Sequence, residues 1–503
     1  MGHSLFAKKS IARLEAELAG APRLKRVLGP ISLAGLGIGG IIGTGIFVLT
    51  GLAAREFAGP GLMLSFVFAG LGCTFAALCY AEFAAMIPVT GSAYTYSYAT
   101  LGEFLAWIIG WDLILEYAMG SSTVSYGWSK YFCKLLGLFN IKLPIWISND
   151  YWSAKHAIAD ATANGTMDQL MAQYSSIAIP TIMGIPFCLN LIAFAIVGVI
   201  TTILVFGIRE GARLNMAMVA IKLSVVLFVI FAGAMYVDPT NWTPFLPFGM
   251  MGVMAGAGRI FFSYIGFDAI STYAEEAKNP QRDLPIGILA SLIICTILYI
   301  LVSAVITGMV KYDQIDVGAP LASAFSNYGL NMAVLLISAG GLAGITSVML
   351  VMLMSQPRIF LAMSTDGLLP KRIFGEIHPK YRTPHKSTIL TGAVSGTVAM
   401  LTPIDILADM VNIGTMFAFA IVCLAVLVLR KTNPDKPRPF RCPAVYIIAP
   451  LGILSNLALM FALGWANWTR LIIWLGIGLI IYFAYSRRHS VVGKESAAKE
   501  SAA

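Results

Sequence analysis

The sequence predicts an all-α integral membrane protein with 12 transmembrane helices. Three observations predict it. The 503 residues are 58% hydrophobic and only 12% charged, whereas soluble domains carry roughly 25% charged residues. The apolar residues fall in long continuous runs, and a helix is the element that satisfies its backbone inside lipid. Alternation, the mark of an outer-membrane barrel, is absent. The charge is also sided: with the N-terminus cytoplasmic, 23 of the 34 Lys and Arg residues fall in inner segments, as the positive-inside rule requires. The net charge of +9 therefore reads as topology, and no nucleic-acid partner is expected. Disordered, disulfide-rich secreted and cytosolic enzyme classes are excluded.

In order along the chain, residues 1–29 come first. Leu5, Phe6, Ile11, Leu14 and Leu18 lie among basic residues and predict an amphipathic helix on the cytoplasmic membrane surface. Glu15 and Glu17 exclude a signal peptide. Twelve apolar segments follow, near 30–55, 61–88, 101–137, 177–206, 214–237, 251–274, 285–310, 331–363, 387–403, 406–429, 445–464 and 469–486. Segments 1–5 (30–238) and 6–10 (251–429) form two candidate halves, and 445–488 adds two helices. The tail, 489–503, ends in GKESAAKESAA, which reads as an appended tag. The expected location is the plasma (inner) membrane, multi-pass, with both termini cytoplasmic.

The outer loop at 138–176 is polar, with Trp146 and Trp152 as aromatic anchors, and reads as a lid or cap. Tyr94, Tyr96 and Tyr98 read as interface aromatics. The seven cysteines (73, 79, 133, 188, 295, 423, 442) show no metal-ligand spacing, so no metal is expected and they read as small hydrophobes. Asn164, Asn241 and Asn467 each open a glycosylation sequon on an outer segment.

The chemistry lies where helices should break. Segment 1 holds six glycines and one threonine between 35 and 45. Its formal GxGxxG lacks the βαβ context of a dinucleotide site. Close helix packing through small residues is one reading. The sharper one is an unwound stretch at Gly43-Thr44-Gly45, where glycine makes the break cheap. The half-helix starting at Ile46 then points N–H groups and a positive dipole end at an anion, and Thr44 adds a hydroxyl. Segment 6 carries Gly266 beside Ser263 and Asp268. A break there frees the carbonyls of Phe262, Ser263 and Ile265, which suit an ammonium group. Interrupted helices at matching places of two halves point to a transporter's midplane site. Anion donors on one and cation acceptors on the other describe a zwitterion site, and an α-amino acid is its natural occupant.

Ionisable residues inside the membrane need reasons. Lys222 lies nine residues beyond Arg213, roughly 13 Å deep at about 1.5 Å per residue. It reads as a proton-coupling group, as a donor to broken-helix carbonyls, or as both. Glu116 shares a helix face with Asp112, four residues before it; it lines the pocket, pairs with Lys222, or is a structural acid. Asp268 stabilises the break or takes part in proton passage. Glu275, Glu276, Lys278 and Arg282 form an inner charged loop, a gate or anchor.

Segment 1 (GIGGIIGTGIF), segment 5 (AIKLSVVL), segment 6 with its exit (FFSYIGFDAISTYAEEAKNPQRDLP) and segment 8 with its exit (SQPRIFLAMSTDGLLP) resemble the amino acid–polyamine–organocation superfamily. Within it they are most similar to the bacterial branch of the cationic amino acid transporter family, over about residues 5–490. The resemblance implies a LeuT-type fold, a 5+5 inverted repeat plus two extra helices, with alternating access and proton-coupled amino acid uptake. It implies that Thr44 and Gly45 hold the substrate carboxylate. The carbonyls of Ile41, Phe262 and Ile265 would hold the amine, and Phe262 would close as a gate. Lys222 stands where sodium sits in sodium-coupled relatives, so the coupling ion is a proton and no cofactor is implied.

The sequence departs from that pattern in its long 138–176 loop and in Ser263, where alanine is usual. Met349 on segment 8 reaches the side-chain pocket and favours small or neutral side chains; Glu116 is the acid that would greet Arg or Lys. Neutral substrates with broad selectivity are therefore expected. An amino acid exchanger, cationic amino acid uptake and a non-transporting membrane sensor stay open. So does a small accessory membrane subunit. No HExxH or GxSxG supports an enzyme.

Overall fold

The protein is described from a computed structural model over residues 7–9, 28–86, 92–163, 165–206, 211–274 and 276–495. The amphipathic helix expected over residues 1–29, Glu275, the sequon at Asn164 and the last eight residues fall largely or wholly outside these. Each of the twelve apolar runs carries helix. Segment 1 is Pro30–Ile41, a break, then Gly45–Leu49, Thr50–Ala53 and Ala54–Ala58. Segments 2 to 5 are Leu62–Met86, Glu103–Leu138, Leu191–Phe206 and Gly211–Gly233. Segment 6 is Gly249–Ile260 and Phe261–Tyr264, a break, then Asp268–Tyr273. Segments 7 to 10 are Pro280–Met309, Asn331–Thr365, His385–Leu401 and Ile404–Thr432. Segments 11 and 12 are Val445–Ala462 and Trp465–Ile481.

Among the described residues, eight helical stretches are long and apolar enough to cross a membrane. The 36-residue helix of segment 3 is not among them. Asp112, Glu116 and the run Ser121–Ser125 dilute its hydropathy, and those residues are buried against protein. Segment 3 packs along segments 8 and 10, segment 7 along segments 1 and 2, and segment 4 along segment 9. Trp111 and Trp474 bind segment 3 to segment 12 reciprocally. Each indole N–H donates to the other's carbonyl, at 2.8 and 3.1 Å, with the rings stacked at 4.5 Å.

Segment 4 is shorter than its apolar run, because residues before Leu191 belong to the outer loop. That loop is an ordered cap of helices Ile145–Ser148, Tyr151–Ala163 and Met167–Gln173, with a hairpin pairing Thr181–Ile182 to Ile185–Pro186. Its small core is Ile145, Ala154 and Cys188. Trp146 packs on Phe187, whereas Trp152 is exposed. Segment 3 holds the cap: the Tyr126 hydroxyl donates to Asp150 at 3.0 Å, and Lys130 donates to Asn149 and to the Ser148 carbonyl.

The region around Asp366 and Glu103 is tied differently. Tyr94, Tyr96 and Tyr98 are buried, not interfacial. Their helix, Ser92–Thr100, turns them inward, where two of the hydroxyls find acids. Tyr94 donates to Asp366 at 2.8 Å and Tyr98 to Glu103 at 2.9 Å. Lys9 pairs with Asp366 at 2.9 Å. The chain's end meets the same two acids: Ser490 donates to Glu103, and the Val491 N–H to the Asp366 carbonyl. Residues 490–491 are thus packed against the helices although they open the tail. Elsewhere, Arg259 pairs with Asp409 at 3.6 Å, and the Asn467 amide donates to the same carboxylate at 2.9 Å. Asn467 is buried, so its sequon is closed to glycosylation. The seven cysteines are free thiols, six of them buried.

Candidate functional site

The two breaks face each other. Segment 1 leaves its helix at Ile42, whose backbone is extended at φ −74° and ψ 103°. It resumes at Gly45 with Thr44 in the capping place. The restart is a residue earlier than the sequence predicts, because the first turn widens to a π-type turn, Gly45–Leu49. The first N–H groups of such a turn have no helical acceptor before them. Segment 6 breaks at Ile265-Gly266, where Gly266 has φ +119°. A side chain is strained at that angle. A Cβ on Gly266 would also meet the Gly40 carbonyl carbon and oxygen at 2.8 Å. A Cβ on Gly45 would lie 2.4 Å from the Ser263 Cα. Glycines at these two places let the broken backbones touch. The same helices are strapped lower down, where Leu28 donates to the Glu276 carbonyl at 3.0 Å and Lys278 to the Leu28 carbonyl at 2.8 Å.

Lys222 is fully buried. Its ammonium donates to the Gly39 carbonyl, to the Ile42 carbonyl at 2.8 Å and to the Ser347 hydroxyl at 3.1 Å. An ammonium has three protons, and all three are engaged. Donation to broken-helix carbonyls is thus formed, whereas a pairing of Lys222 with Glu116 is not. Glu116 instead lies among other acids, Asp268 and Asp112. One oxygen of Glu116 and the Thr415 hydroxyl are buried without a hydrogen-bond partner. Asp268 accepts from the Gly266 N–H at 3.3 Å, so it caps the break from within.

The Thr44 hydroxyl donates to the Val124 carbonyl of segment 3 at 3.4 Å, and its methyl fills the space over Gly127. Gly43 is covered by Val348 of segment 8. Met349, the next residue, is also fully buried, but Val348 makes the contact with Gly43. Phe262 and Ile265 are buried, and the Phe262 carbonyl accepts from the Ile265 N–H at 3.2 Å. The Ser263 hydroxyl has no partner.

Sequence reasoning missed Tyr299 of segment 7. Its buried hydroxyl lies 3.0 Å from the Ile41 carbonyl and 2.9 Å from the Ser263 carbonyl, so one phenol bridges both breaks. A tyrosine in an apolar run reads as core, and no spacing singled it out.

Two broken helices in contact, a buried lysine on one break and acids beside the other define a multi-pass membrane protein with an internal polar site. The chain's residues 28–484 match the family model described as amino acid permease. The chain is 48% identical to the branched-chain amino acid permease BcaP of Bacillus subtilis, over 97% of this chain and 99% of that protein. It is 43% identical to the methylthioribose transporter of the same organism, over 98% and 100%. It is 36% identical to the vacuolar cationic amino acid transporter 4 of Arabidopsis thaliana, over 83% of this chain and 65% of that one. The chain belongs to the amino acid permease family, in the amino acid–polyamine–organocation superfamily, as the resemblance of its motifs implied. It is a transporter and not an enzyme.

Proposed function

We propose that this protein imports neutral amino acids by proton-coupled symport with alternating access. The observation that carries the proposal is the pairing of the two breaks, one offering N–H groups and the other carbonyls, with Lys222 bound to the first. In this reading Gly43, Thr44 and Gly45 receive the substrate carboxylate at a helix N-terminus. The carbonyls of Ile41, Phe262 and Ile265 receive its amine, with Ser263 beside them. Phe262 closes over the substrate, and Met349 bounds the side-chain pocket. Lys222 and Asp268 carry the proton. When Lys222 gives up its proton, one or more of its bonds to Gly39, Ile42 and Ser347 weakens, and segment 1 is freed from segments 5 and 8. Twelve membrane crossings, the 5+5 inverted repeat, an inner-membrane location and cytoplasmic termini complete the proposal.

Neutral selectivity is supported by the apolar Val348 and Met349 on segment 8 and by the branched-chain permease among the relatives. Glu116, with its unpartnered oxygen, supports the second reading, uptake of cationic amino acids. A relative named for methylthioribose widens the substrates worth testing. Thermal stabilisation of the purified protein across the twenty amino acids and methylthioribose tests the reading, because a ligand of the folded state raises its melting temperature. Shifts with Leu, Ile, Val or other neutral amino acids are expected. Shifts confined to Arg and Lys would move the substrate to the Glu116 side, and a shift with methylthioribose alone would remove the zwitterion site.

A further inference from the structure

The connection between segments 8 and 9 is a fixed surface element. Its short helix Lys371–Phe374 is pinned by Phe374 on Phe360, ring centroids 4.6 Å apart. Beyond it, His378 organises a tight turn. Its N–H donates to the Thr383 carbonyl at 2.8 Å, and its carbonyl accepts from the Arg382 N–H at 2.9 Å. Its Nδ1 accepts from the Lys380 and Tyr381 N–H groups, both at 3.2 Å. Tyr381 packs edge-on against Phe206 at 5.1 Å, and Thr383 donates to the Val205 carbonyl at 2.7 Å. The connection is thus anchored to segments 4 and 8.

What it presents outward is mixed. Lys371, Arg372, Lys380 and Arg382 are exposed, and among the described residues none of them is in an ion pair. Ile373 is 46% and Ile377 49% exposed. The acid of the element is spoken for: the Lys386 ammonium hydrogen-bonds Glu376 and holds its carboxyl below the usual carboxylate range. The element joins two apolar helices, so it lies at the membrane–water boundary whichever face is cytoplasmic. Two half-exposed isoleucines in one short element are costly in water, whereas at that boundary they enter the acyl region near the exposed cations.

We propose that residues 371–382 form a binding platform for anionic phospholipid headgroups of the leaflet they border. Ile373 and Ile377 seat the element among the acyl chains, and Lys371, Arg372, Lys380 and Arg382 take the headgroup phosphate. Clustered basic residues beside a membrane helix attract anionic lipid in this way. The platform is preformed, so binding orders little of it. The proposal is independent of substrate and coupling ion.

The test uses the full chain in nanodiscs of phosphatidylcholine, with or without phosphatidylglycerol. Retention of phosphatidylglycerol is read by native mass spectrometry, and stability by melting temperature. The wild type is expected to retain the anionic lipid and to melt higher in its presence, with both effects shrinking in high salt. K371Q/R372Q/K380Q/R382Q alters exposed side chains only and should melt like the wild type in pure phosphatidylcholine, while its retention falls at least about tenfold. The control K278Q/R282Q should behave as the wild type. Equal retention by the quadruple variant, an equal loss in the control, or the same stabilisation by inorganic phosphate in phosphatidylcholine would overturn the proposal.

Discussion

The breaks in segments 1 and 6 use similar glycines and are held in opposite ways. In segment 1 the freed carbonyls of Gly39 and Ile42 are met by a cation on another helix, Lys222 of segment 5. In segment 6 the freed N–H of Gly266 is met two residues away by Asp268. A break held from outside opens when the distant group lets go; a break held by its own chain travels with the helix. Under the proposed coupling, the difference would make segment 1 the switchable element and segment 6 the stiff one. Tyr299 joins them and holds their register, since its single proton serves a carbonyl from each.

Breaking the stiff side should have the largest effect. Gly266→Ala puts a Cβ at φ +119° and 2.8 Å from the Gly40 carbonyl. Little monodisperse protein should survive size-exclusion chromatography; normal yield and uptake would show that the two backbones need not touch. Tyr299→Phe is next. It removes the one proton that two buried carbonyls share, at about 1–3 kcal/mol, and should lower both melting temperature and maximal uptake. If uptake is unchanged, the bridge is incidental. Thr44→Val keeps the shape over Gly127 and removes one hydroxyl. The apparent affinity should fall by about 1 kcal/mol; wild-type affinity would put the carboxylate elsewhere. Met349→Ser leaves both breaks intact and should change only the substrate profile, admitting longer side chains. An unaltered profile would place Met349 outside the pocket.

The positions of the two breaks were legible in the sequence. Gly43, Gly45 and Gly266 stand out because mid-membrane glycine clusters have few uses, and Lys222 because a deep lysine is costly. The restart of segment 1 was misplaced by a residue, since a π-type turn has no spacing signature. Tyr299 stayed hidden because its role is a meeting of carbonyls from two other helices. The same holds elsewhere: Lys9, Tyr94 and Ser490 are far apart in sequence, and only packing brings them to Asp366 and Glu103. The 138–176 loop reads as a lid or cap from its polar composition and aromatic anchors, and the structure adds its three short helices and hairpin. The pairing of Glu116 with Lys222 was a choice among acids within reach, and the structure spends the lysine's protons on carbonyls and Ser347 instead.

The central claim is that Lys222 couples segment 1 to a proton. The direct measurement is uptake of labelled leucine into proteoliposomes, with and without an imposed inward proton gradient, for the wild type and Lys222→Ala in parallel. The account predicts gradient-driven accumulation by the wild type that collapses with a protonophore, and no response to the gradient in Lys222→Ala even where binding, read by thermal shift, survives. Gradient-driven accumulation that persists in Lys222→Ala would contradict it.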